Sequence, residues 1–416
     1  MKKYFQFKTL TALIIMSFFI LILDSCYAQQ IRGTKDSQQS MVKANDNFDD
    51  SKAIQKMLDQ SKPGSVIYLP RGIYLIDAPL VMKTNNITLK GEDSTVFRFT
   101  NKTDYYAMYK TRIGMINICA DNITIDHLII DQNFTNSGRT DGDNPLIAGI
   151  MMGCAYGGKP YITKNITITN CTIYNYYGDG ISVFHTSTDH LRVLNNTLIS
   201  SYIVGNWKEA ETKGEQAINV HSGDSISILN NVIRGALDDA IAIHFQSKDV
   251  IVAGNDITTT GGRILMNGTQ NGVIKGNKIR YIQNGGSAIW ISFESEGKVF
   301  NLNNALSITD NKIFIEKGIK IVSAIRLFGP GSNIIISNNQ IETADRQGIG
   351  IELKDRMQEV AKKKFFGDNI TIQNNQIKNF QTGIKRTISK QVQPPSIKIL
   401  NNRYENVDKD YDSNDQ

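Results

Sequence analysis

The 416-residue chain lacks a recurring helical pattern of roughly 10–15 residues, which excludes repeated βαβ units and paired-helix repeats. It has only 4 cysteines and no CxxC pair, so a thiolate metal centre is not indicated. No EF-hand spacing is present, and nothing in the motifs calls for a cofactor or a resident metal. Charge of one sign is scarce as well. The formal charge is +6, and removing residues 1–28, with Lys2, Lys3, Lys8 and Asp24, lowers it to +4. Without a Lys/Arg cluster that value is far too small for nucleic-acid binding and only weakly favourable for an acidic polymer.

What is present is a repeat. The stretch 164–184, KNITITNCTIYNYYGDGISVF, sets two short apolar alternations about a tight polar corner, and the unit returns down to residue 404. Anchoring on one Asn per unit gives Asn196, Asn231, Asn255, Asn277, Asn311, Asn339, Asn375 and Asn402, at intervals of 35, 24, 22, 34, 28, 36 and 27 residues. A basal coil of 22–24 residues, lengthened by inserts, predicts an all-β fold, a single right-handed parallel β-helix, whose handedness rests on the resemblance given below. Alternation sends Ile166, Ile168 and Ile173 inward, with Ile226, Ile228 and Ile233 in register. The Asn series predicts an internal ladder at a corner, where Asn tolerates a left-handed backbone.

In chain order, residues 1–28 read as an export signal: lysines, an apolar run from Leu10 to Leu23, then small residues. LDSC, ending at Cys26, resembles a bacterial lipoprotein processing site, whereas Cys26-Tyr27-Ala28 resembles an ordinary signal-peptidase site. Either sends the chain to the periplasm, the outer membrane or the exterior, and a lipid at Cys26 is its one route to a membrane. Cys119, Cys154 and Cys171 are an odd set, expected to be buried in the coils with at least one unpaired. Residues 29–47 are expected to be flexible, 48–406 to be the β-helix domain, and 407–416 a disordered tail. Asp49 or Asp50 should cap a short helix over 50–59, with Ala53, Ile54, Met57 and Leu58 covering the open end of the cylinder. Inserts at 91–120, 132–163, 201–214, 294–303 and 354–368 should build a binding face.

The stretch from Asp50 through Gly64, Val66, Leu69, Pro70, Gly72 and Tyr74 resembles the opening module of the pectate-lyase-like superfamily. That resemblance implies a right-handed β-helix and leaves the chemistry open among hydrolases, lyases, epimerases and adhesion modules.

Aligning the second alternations places Ser182 and Phe184, Asn219 and His221, Ala242 and His244, Trp290 and Ser292, Arg326 and Phe328, and Gly350 and Glu352 outward. At the preceding corner Gly178-Asp179, Glu215-Gln216 and Asp238-Asp239 align. Carboxylates gathered there would repel one another, a cost kept where it raises a pKa or holds a cation; the bland reading is turn capping by Asp. GALDDAIAIHF and YYGDGISV resemble the Gly-Asp-Asp and Asn-Thr-Asp-Gly segments of polygalacturonase-type glycoside hydrolases. Tyr177-Gly178 replaces Asn-Thr, however, and Gly-His-Gly and Arg-Ile-Lys are absent.

Three readings follow. The leading one is an exported glycoside hydrolase acting on a polysaccharide or oligosaccharide, neutral or anionic. Its expected roles are Asp239 as general acid, Asp179 with Asp238 as base, Glu215 as pKa neighbour, and His221 or His244 bonding a hydroxyl. Trp290 is the expected sugar platform, and Arg326 the group that fixes a carboxylate or sulfate. A uronate lyase or epimerase would instead use the corner for Ca²⁺, with His221, His244, Arg263 or Lys320 as base. The third reading is a non-catalytic glycan-binding solenoid.

Overall fold

The computed structural model describes residues 42–100, 113–133, 147–154, 161–176, 178–184, 186–200, 216–236, 238–259, 262–282, 284–296, 299–329, 331–355, 367–388 and 396–413. The export signal, Cys26 and Glu215 lie outside them. From Asn47 onward the chain forms one compact unit.

Three parallel sheets, each of 12 strands, wind as a right-handed β-helix. The first sheet runs from Val66–Tyr68 to Ile397–Leu400, the second from Gly72–Ile76 to Arg403–Glu405, and the third from Leu80–Met82 to Lys409–Ser413. This last strand pairs with Thr382–Thr387, so ordered structure continues past residue 406, where a tail was expected.

Period-2 alternation explains the core. In the third sheet Ile181, Ile218, Ile241, Ile264, Ile289, Ile325, Ile351 and Ile384 stack level with one another. All are buried, each contributing about 1.5–3 kcal/mol relative to exposure. The register corrects the sequence alignment twice. The coil Arg263–Asn267 intervenes between Asp239–Ile243 and the Trp290 strand. Ile351, and not Ile349, is level with Ile325, which sets Arg326 beside Glu352.

The predicted asparagine ladder is formed. Each Oδ1 receives the backbone N–H and Nδ2 of the preceding ladder residue, as between Asn231 and Asn255 at 2.9 and 3.0 Å, and the series runs from Asn196 to Asn402. The left-handed residue is the one before each ladder position, for example Asn195 (φ 56°) and Asn230 (φ 56°), rather than the ladder Asn itself. Cys171 occupies the end of the ladder, its N–H bonded to Asn196 Oδ1 at 2.9 Å.

Cys119 and Cys154 are joined in a disulfide, which follows the ends of the adjacent strands Ile113–Ile118 and Ile147–Met152. Only Cys171 stays free and buried among the described residues, so the expectation of simple packing holds for it alone. The bond fits an oxidising compartment.

The helix Ser51–Gln60 turns Ile54 and Leu58 inward. Asp49, not Asp50, accepts the Ser51 N–H, while Asp50 accepts the Leu75 N–H at 3.0 Å. Gln55 imitates a neighbouring strand: its amide donates to the Val81 carbonyl at 2.9 Å and accepts the Val81 N–H at 2.8 Å. An edge that would otherwise template association is thereby paired. Among the described residues no helix is long and apolar enough to cross a membrane.

Candidate active site

The corner between the second and third sheets brings the predicted acids into one column. Gln216 is level with Asp239, and Asp239 with Arg263, across a local register shift. Gly180 N–H bonds to the Gln216 carbonyl, which puts Asp179 one coil before Gln216. Asp179 and Asp239 are therefore two coils apart, about 9.6 Å of backbone rise.

The acids differ in setting. Asp179 is 6% exposed, and its Oδ2 receives Ser182 Oγ at 2.7 Å and Asn219 Nδ2 at 3.1 Å. Asp239 is 1% exposed, whereas the Asp238 side chain is 42% exposed. Gln216 Nε2 reaches both, at 3.3 Å to Asp238 and 3.5 Å to Asp239. Arg263 also serves both: Nε lies 2.7 Å from Asp239 Oδ1 and one terminal nitrogen 3.5 Å from Asp238 Oδ1. The shorter contact is an ion pair whose N–H points off the line between the atoms. Burial pushes the Asp239 carboxyl up to about 7, with the Arg263 guanidinium opposing that rise and the Asp238 charge adding to it. Beneath them the buried Tyr281 phenol is also pushed upward by burial.

His221 and His244 stack on adjacent coils as expected, ring centroids 5.6 Å apart. Phe184 and Phe245 lie 4.5 and 5.0 Å from the His221 ring, so the imidazoles are set in an aromatic cluster. Trp290 faces outward and is half-buried, but it is not an open platform. The Arg263 and Arg326 guanidiniums lie over its ring at 4.3 and 5.3 Å from the centroid, and the Phe328 edge approaches at 5.8 Å. A sugar stacking there has to share or displace those cations. Arg326 is itself committed to Glu352 at 2.9 Å, with both side chains largely buried.

Sequence reasoning missed the central role of Arg263. It considered that residue only as a base, yet Arg263 joins the acid pair to the Trp290–Arg326–Glu352 chain. Among the described residues Lys320 makes no contact with the site; its backbone N–H bonds Asn284 Oδ1 at 2.7 Å. Among the described residues no three His, Cys, Asp or Glu side chains converge as a metal-ligand set.

A family model for the right-handed β-helix region matches residues 163–326 and 216–385, together more than half of the chain. A second, for rhamnogalacturonase A/epimerase of pectate-lyase-like type, matches residues 39–140, across the opening module. The chain belongs to the pectate-lyase-like right-handed β-helix superfamily. No curated protein matches its sequence. Among solved structures, this β-helix is similar to the surface protein and adhesin PfbA of Streptococcus pneumoniae, at 18% identity over 90% of this chain and 98% of that one, TM-score 0.63. It is similar to the endo-xylogalacturonan hydrolase of Aspergillus tubingensis, at 14% identity over 89% and 93%, TM-score 0.57. It is also similar to the A-module of the mannuronan C-5 epimerase AlgE6 of Azotobacter vinelandii, at 16% identity over 89% and 97%, TM-score 0.55. An adhesin, a hydrolase and an epimerase share this scaffold, and at such identities the likeness shows the fold alone.

Proposed function

We propose that this protein is an exported polysaccharide hydrolase whose catalytic centre is the acidic corner. The observation that carries the reading is the Asp238–Asp239 pair: a buried carboxyl that keeps its proton to about pH 7 stands beside a half-exposed one. Burial, with the Asp238 charge beside it, holds that proton on Asp239. Asp238 holds the accessible oxygens and makes the contact with the glycosidic oxygen. Asp239, expected from sequence as the contacting acid, is too buried for that and acts through its neighbour. Asp179 takes a proton from the attacking water on the other side of Gln216. Two coils of rise, shortened by inward side-chain reach, suit the roughly 6.5–9.5 Å between carboxyls of inverting enzymes. His221 and His244 are the residues proposed to bond sugar hydroxyls, and Glu215 remains the proposed pKa neighbour. The hydrolase neighbour shows that this scaffold can carry such an activity, as it can others.

One observation favours a non-catalytic glycan-binding solenoid instead: Arg263 contacts both acids and ties them to Trp290, as a structural network would. The variants Asp238→Asn and Asp239→Asn separate the two. As a catalytic pair, each should lower kcat about 10²–10⁴-fold with an unchanged far-ultraviolet spectrum. Wild-type activity should also fall above about pH 7, as Asp239 loses its proton. Unchanged kcat in both variants would assign the corner to structure.

A further inference from the structure

The second sheet has an outward face that the acidic corner does not use. Strands Val232–Arg234, Asp256–Thr259, Lys278–Tyr281, Lys312–Ile315 and Gln340–Thr343 stack there in register. Their outward side chains line a cavity of about 520 Å³. A further volume of about 230 Å³, sharing Gln340 and Glu342, continues over Gln376–Lys378 and Arg403–Glu405. The face begins on the coil that bears Asp238 and Asp239 and covers six further coil steps, roughly 29 Å along the axis. An extended ligand fits that shape better than a compact one.

Charge is unevenly distributed along it. Lys278 is level with Lys312, at the ~4.8 Å spacing of adjacent strands, and both are exposed. Most neighbouring cations have carboxylate partners: Arg234 with Asp256 at 3.0 Å, Arg280 with Glu316, and Lys378 with Glu342 at 3.5 Å. Lys278 and Lys312 have none among the described residues. Two ammonium groups so placed repel by about 1 kcal/mol even in water, and an anion lying between them reverses the sign. The outward residue next after Lys312 on the same strand is Phe314, 36% exposed, which offers a flat apolar ring. Gln340 and Thr258 supply hydroxyl partners alongside. The interspersed Asp256 and Glu342 disfavour the dense phosphates of a nucleic acid, which carries a charge every ~3.4 Å per strand.

We propose that this groove is a second binding site, which holds an acidic polysaccharide along the helix axis, with a carboxylate or sulfate bridging Lys278 and Lys312 and a sugar ring against Phe314. The site stands on register, charge and shape, and it does not depend on catalysis at the corner.

Affinity electrophoresis of the full chain tests it, with polygalacturonate, dextran sulfate or neutral dextran cast into the gel. At least one acidic polymer should retard the wild type, and dextran should not; which acidic polymer does so tells carboxylate from sulfate. The Lys278→Gln/Lys312→Gln variant should bind about tenfold more weakly, as expected for two lost charge contacts, and Phe314→Ala should weaken binding as well. Reducing-end release is measured on the same variants: loss of retardation by Lys278→Gln/Lys312→Gln with release intact assigns the binding to this groove, whereas loss of both overturns its independence from the corner. Four results would overturn the proposal: no retardation by either acidic polymer, undiminished retardation of the double lysine variant, equal retardation by dextran, or tighter binding to a single-stranded oligodeoxynucleotide.

Discussion

Replacing Asn277 with alanine removes a fully buried amide from the middle of the asparagine ladder. Its Oδ1 accepts the Asn255 backbone N–H at 3.0 Å and Asn255 Nδ2 at 2.9 Å. Its Nδ2 donates to the Val252 carbonyl at 2.9 Å and to Asn311 Oδ1 at 3.0 Å. Alanine leaves the buried Asn255 N–H without that acceptor, at about 1–3 kcal/mol, and deletes three further bonds at roughly 1 kcal/mol each. The combined loss is about 4 kcal/mol or more. With a urea slope of about 3 kcal/mol/M, the unfolding midpoint should drop by about 1.3 M. Lys398→Ala, on an exposed position, should change stability by less than about 0.5 kcal/mol and serves as the reference. The assay is the urea midpoint followed by circular dichroism. An Asn277→Ala midpoint indistinguishable from that of Lys398→Ala would refute the view that the ladder holds the coils together.

Cys171→Asn should extend the ladder by one rung, because Cys171 Sγ already lies 3.8 Å from the Ile125 carbonyl that a ladder amide would meet; the urea midpoint should rise, and a fall would show that packing sets the ladder's end. Opening the Cys119–Cys154 bond, whose sequence separation is 35, should cost about 4 kcal/mol and lower Tm in reductant, whereas an equal Tm with and without reductant would contradict a stabilising role. Asp239 has a folded-state value of about 7, above the ordinary 3.8, so the folded protein holds that proton longer than the unfolded chain does. Its contribution is complete below about pH 4 and is lost as pH rises through 7. Asp239→Asn should therefore gain stability on the wild type between those limits, and parallel pH curves for the two proteins would refute the raised value.

Much of the fold was legible because its signals are local and repeated. The Asn at each corner marks the coil, and an Ile two positions along marks the inside, so the ladder and most of the Ile column could be drawn from spacing alone. The acidic column was legible for the same reason: Asp179, Gln216 and Asp239 keep a constant offset from their inward isoleucines. Arg263 was not, because a register shift between Asp239 and Ile241 brings it level with Asp239 without matching that offset. The Cys119–Cys154 bond was hidden by an insert of uncertain register between the two coils, although its separation of 35 residues equals one of the ladder intervals. Burial separates Asp238 from Asp239, as alternation implies, since Asp239 lies two residues before the inward Ile241 and Asp238 three. The lysine pair was readable in principle, since Lys278 and Lys312 each directly follow a ladder Asn.

The most direct test of the corner as a hydrolytic centre is the chemistry of its product. Wild-type protein and Asp238→Asn are incubated with a panel of acidic and neutral polysaccharides, and both reducing ends and ultraviolet-absorbing unsaturated ends are counted. Inverting hydrolysis predicts new reducing ends from the wild type alone, with no unsaturation and no requirement for added Ca²⁺. Unsaturated ends, or equal product from Asp238→Asn, would contradict it.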